Sequence, residues 1–111
     1  MKKLLLVLLA ITAAVAQTKT GDAENGKKLF MRNGCYQCHG TVGQGGAAGA
    51  RLAQIRLPVA AFIAFVRNPS PGGMPPYRAK IMSDQELTDV FAYIQTFPAP
   101  IPVANIAILK E

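Results

Sequence analysis

Apolar positions along the chain fall into an N-terminal run and three helix-like stretches, separated by segments rich in glycine and proline. The run from Leu4 to Ala16 is almost unbroken, follows Lys2 and Lys3, and ends in Ala14-Val15-Ala16, the small-x-small pattern cut by signal peptidases. It is shorter than the roughly 20 residues a membrane-spanning helix needs, which favours a cleavable signal peptide over residues 1–16 and a mature domain over 17–111. Beyond it, Asp22 is placed to cap a helix whose inner face carries Ala23, Gly26, Leu29 and Phe30, with Lys27, Lys28 and Arg32 toward water and Asn33-Gly34 as its stop. Gly40 to Ala50 holds five glycines among small residues, too many for a stable helix or strand, and predicts a loop lying close against another part of the molecule.

Pro58 suits a first helical turn, and Val59, Phe62, Ile63 and Val66 follow with helical spacing until Asn68-Pro69 ends the pattern. From Pro69 to Tyr77 four prolines and two glycines forbid regular structure and predict a stiff, irregular loop around Met74. Ser83 and Glu86 have the spacing of a capping box, after which Leu87, Val90, Phe91, Ile94 and Phe97 make an apolar stripe closed by Pro98. No stretch alternates as a strand would, and the tail from about residue 98, with Pro98, Pro100 and Pro102, reads as extended chain. The domain is predicted to be all-α, with about three main helices and long loops.

Composition changes this picture in one respect. Half of the 111 residues are apolar and 16% are charged, which excludes a disordered or collagen-like chain. What remains after the leader is small enough that a disulfide, metal or cofactor is expected to supplement the core. Removing Lys2 and Lys3 with the leader lowers a net charge of +6 to that of a mildly basic domain, and without a basic run or many aromatic residues nucleic-acid binding is not expected.

The chemistry is concentrated in Cys35-Tyr36-Gln37-Cys38-His39, which contains the only two cysteines and the only histidine. Two thiols at this spacing followed by an imidazole form the attachment motif of c-type haem: the thiols add to the vinyl groups and the histidine binds iron. Other readings exist. A thioredoxin-like redox pair needs a preceding strand and a βαβ setting, structural zinc needs further ligands, and a Cys35–Cys38 disulfide closes too small a loop to stabilise much and leaves His39 unexplained.

From Asp22 to Phe97 the sequence resembles a class I c-type cytochrome. Gly26 and Phe30 precede the haem motif, Ala92-Tyr93-Ile94 lies in the last helix, and Gly73-Met74-Pro75 falls between the middle and last helices, as in that family. The resemblance implies a small cytochrome c-like fold wrapped around one haem c, with Cys35 and Cys38 as covalent anchors and His39 and Met74 as axial iron ligands. The residues agree on Met74: Gly72-Gly73 allow close backbone approach, and Pro75-Pro76 limit withdrawal. Met82 is the alternative, though its place before Ser83 suits packing under the last helix, and a second histidine ligand is excluded. One departure is Gly49-Ala50-Arg51-Leu52, where the family usually has Gly-Pro-x-Leu and uses the proline carbonyl to orient the proximal histidine. Phe30, Leu52, Phe62, Val66, Tyr77 and the last helix are expected to pack the macrocycle.

With both axial positions filled, the expected function is one-electron transfer between redox proteins rather than catalysis. The expected partners are a redox donor and acceptor, with acidic docking surfaces if the basic residues Arg51, Arg56, Arg78 and Lys80 form a rim. The leader points to export, with the bacterial periplasm as the expected compartment and no stable membrane insertion after cleavage. Two alternatives are a dedicated cytochrome subunit of a periplasmic dehydrogenase or oxidase, and a ligand-binding haem protein with a labile sixth site.

Overall fold

A computed structural model of the chain describes residues 20–109, so the leader expected at 1–16 lies outside the described residues. The elements run α1 (Ala23–Arg32), α2 (Cys35–His39), α3 (Val59–Arg67) and α4 (Asp84–Ile94), followed by short 3-10 turns at Val103–Asn105 and Ala107–Leu109. Among the described residues there is no strand, only an isolated bridge between Gly46 and Gly49. The all-α expectation holds.

Each longer helix begins where local chemistry favours it. Asp22 accepts hydrogen bonds from the backbone N–H groups of Glu24 (2.9 Å) and Asn25 (3.1 Å), which would otherwise be unpaired at the start of α1. Asn33 ends α1, and Gly34 turns the chain with φ of 75°, a conformation that favours glycine. At α4, Ser83 Oγ accepts from Glu86 N at 3.1 Å while Ser83 N donates to Glu86 Oε2 at 2.8 Å, completing the capping box. Pro58 stands just before the first turn of α3 rather than in it, because its extended ψ of 146° leads into the helix.

The helices at the two ends of the domain, α1 and α4, pack closely. A Cβ at Gly26 would overlap the carbonyl oxygen of Asp89, so a larger residue there would force the helices apart. Beside that contact Phe30 is fully buried, its ring edge-on to Tyr93 and Phe97 at centroid distances of 5.5 and 5.6 Å. Asp89 is buried too, and accepts from Asp22 N and Asn25 Nδ2 of the facing segment (both 2.8 Å) and from Gln85 Nε2 (3.0 Å). This carboxylate ties the start of α1 to the middle of α4 without leaving a donor unsatisfied.

The apolar stripe of α4 is buried at Leu87, Val90 and Ile94. The helix ends at Ile94, before the stripe does, yet Phe97 is still carried into the core by a turn in which its N–H bonds to the Ile94 carbonyl at 3.1 Å. Phe62 of α3 meets Phe91 of α4 at 5.3 Å, closing the other side. The glycine-rich loop does lie close to its surroundings: at Gly49 an added Cβ would come 2.6 Å from the Cys38 carbonyl oxygen. The tail departs from extended chain at its two 3-10 turns, where single turns close locally without burying any residue.

Candidate functional site

The five residues Cys35–His39 form the short helix α2, directly after the turn at Gly34. Helical spacing sets Cys35 and Cys38 on one side of α2, with His39 next to the second. The two cysteines are free, Cys35 half-buried and Cys38 exposed. Burial pushes the Cys35 thiol up, so the unreacted group is held as a neutral thiol.

All three side chains border an apolar cavity of about 470 Å³. Phe30 closes it from α1, Phe62 and Val66 from α3, and Leu87, Val90 and Ile94 from α4. Leu52, Ile55 and Tyr77 add walls from the loops, so the residues expected to pack a macrocycle are gathered around one space. Leu57 and Phe65 also border it while 49% and 54% exposed, and there the cavity reaches the surface. These two escaped the sequence reading because each falls outside the regular helical stripe.

His39 has a defined orientation. Its Nδ1 lies 2.7 Å from the Ala50 carbonyl oxygen, which can only accept, so Nδ1 carries the proton and Nε2 keeps its lone pair free for a metal. Ala50 thus supplies the contact expected of a proline carbonyl at this place, since the bond needs the backbone and not the ring.

Met74 is half-buried and borders the same cavity from the proline-rich loop. Met82 borders it as well, but is 2% exposed and sits among the core residues below the start of α4, as its position before the Ser83 cap suggested. Met31 is 41% exposed on the outside of α1. Arg51 reaches the cavity border, whereas Arg56, Arg78 and Lys80 are exposed and away from its lining.

Apolar walls drawn from three helices, two thiols at helical spacing, an imidazole with a free nitrogen and a thioether on a neighbouring loop fit a covalently held haem. The family model described as cytochrome c oxidase, cbb3-type, subunit III matches residues 21–94, two thirds of the chain and all four helices. The chain belongs to this family of c-type cytochromes. No curated protein and no solved structure matched it.

As a c-type cytochrome the protein carries covalently bound haem c and works by haem-based electron transfer with redox partners. When bound, the haem supplies an iron that takes up and releases one electron. The cytochrome's own residues would hold that group among apolar side chains, and the Ala50 carbonyl orients His39 at the border of the same cavity. Among the described residues no helix is long and apolar enough to cross a membrane.

Proposed function

We propose that this cytochrome is an exported, periplasmic one-electron carrier in which Cys35 and Cys38 hold the haem by thioether bonds and His39 and Met74 ligate the iron. The observation that carries the reading is the convergence of these four side chains on one apolar cavity, with His39 turned by Ala50 so that Nε2 is left for iron. A thioether opposite an imidazole raises the reduction potential relative to two nitrogen ligands, and with both axial positions filled neither dioxygen nor substrate can bind. Oxidation and reduction then proceed without ligand exchange, which suits a shuttle that meets its partners briefly.

Visible spectra of the haem-loaded protein test this. Sharp reduced bands, unchanged by carbon monoxide, are expected of the native protein, and Met74→Ala is expected to admit carbon monoxide while Met82→Ala leaves the bands in place. Rapid carbon monoxide binding by the native protein would instead mean a labile sixth site, and the opposite pattern in the two variants would move the axial role to Met82.

A second reading, a dedicated cytochrome subunit of an oxidase or dehydrogenase, draws on the description of the matching family as an oxidase subunit and on Ile101, Val103, Ile108 and Leu109, each at least 60% exposed. Stable co-purification with a larger redox enzyme, lost on truncation after Pro98, would favour it over the shuttle.

A further inference from the structure

The segment from Asn68 to Pro76 carries Met74 but has little to hold it in shape. Pro69, Pro71, Pro75 and Pro76 have no N–H to donate, and the one backbone hydrogen bond closed within the segment, Gly73 N to Ser70 O, is long at 3.4 Å. The reach of Met74 therefore depends on where this arm rejoins the body of the protein, at Tyr77.

Three hydrogen bonds meet at Tyr77. Its N–H donates to the Val66 carbonyl of α3 at 3.1 Å, and its phenol donates to the Asn33 carbonyl at 2.8 Å, in the chain just ahead of Cys35. Its own carbonyl accepts from Arg67 Nη1 at 2.8 Å. That same Nη1 donates to the Met82 carbonyl at 2.6 Å, and Nη2 pairs with Asp84. The Arg67 side chain is only 15% exposed while Asp84 is 77% exposed, so the guanidinium is drawn in toward the two backbone carbonyls rather than out toward the carboxylate. A single exposed carboxylate offers an arginine little, whereas a planar fork can satisfy three acceptors at once, and no shorter or non-planar side chain can do so.

We propose that Arg67 is the positioning residue for Met74: by gripping the Tyr77 carbonyl at the foot of the arm and the Met82 carbonyl at the start of α4, it sets how firmly the thioether is presented to the iron. This rests on the reading of Met74 as an axial ligand. A purely structural role, joining α3 to α4, would alter stability without altering competition at the sixth position.

The test is imidazole binding to the ferric, haem-loaded protein, followed by visible titration in Arg67→Lys and Arg67→Ala, each with Met74 intact and with Met74→Ala. Arg67→Lys keeps the charge and loses the fork, and decides the question by itself if Arg67→Ala does not accumulate. With Met74 present, imidazole affinity is expected to rise about tenfold or more, the scale on which groups supporting a metal ligand act. With Met74→Ala the same Arg67 substitution is expected to change nothing, because no arm ligand is left to displace. No rise with Met74 present, or an equal rise in both backgrounds, would overturn the proposal. Failure of the underlying ligand reading shows separately: Met74→Ala alone would then leave imidazole affinity unchanged, and the proposal would fall with it.

Discussion

His39 illustrates how much of this site is made by backbone. Its proton is placed by the carbonyl of Ala50, so the residue type at position 50 matters less for the bond than for the stiffness of the loop that presents it. Ala50 donates to no backbone carbonyl, and among the described residues Gln54 is the only non-glycine residue with positive φ, so proline at position 50 would break no backbone hydrogen bond and meet no left-handed conformation. Ala50→Pro is expected to raise stability by about 0.4–1 kcal/mol by restricting the unfolded chain, with the visible spectra of the loaded protein unchanged. Denaturant unfolding followed at the haem band checks both halves, and a lost or shifted low-spin spectrum would show that the loop needs the freedom alanine gives it.

At the level of elements, the crossing of α1 and α4 is the tightest constraint. Gly26→Ala puts a methyl group where the Asp89 carbonyl oxygen already stands, and backbone cannot move aside as a flexible side chain can. A loss of about 3 kcal/mol or more is expected, at the upper end of overpacking effects, read as a lower denaturation midpoint. Much at this scale was legible in the sequence, because caps and stops are local: Asp22, Asn33-Gly34 and the Ser83–Glu86 pair act within a few residues of themselves. Helix α2 was not legible as a helix, since five residues carry no hydrophobic period. Nor were the buried carboxylate of Asp89 and the grip of Arg67, whose partners are distant in sequence and are in part backbone carbonyls, which no residue pattern advertises. The proposed attachment residues stood out for the opposite reason, as reactive groups of rare types gathered in one short motif.

For the molecule as a whole, the cavity is the dominant fact. Phe30, Phe62, Leu87, Val90 and Ile94, which belong to the core, all border a cavity of about 470 Å³ that reaches the surface at Leu57 and Phe65, so their inner faces are close-packed only against a group seated there. The haem is thus part of the core, and a chain with Cys35→Ser and Cys38→Ser together is expected to lose most of its helical circular dichroism and its sharp unfolding transition. A doubly substituted chain that kept both would show that the protein core suffices without a covalent cofactor. The crossing at Gly26 also bears on how quickly the domain is made. Helices α1 and α4 are the first and last of the four α-helices, so the contact between them forms only after a long stretch of chain has closed, and that closure rather than helix formation should govern the folding rate. A haem held at Cys35 and Cys38, as proposed, would give Leu87, Val90 and Ile94 an apolar surface to land on beside α1, and so shorten that search.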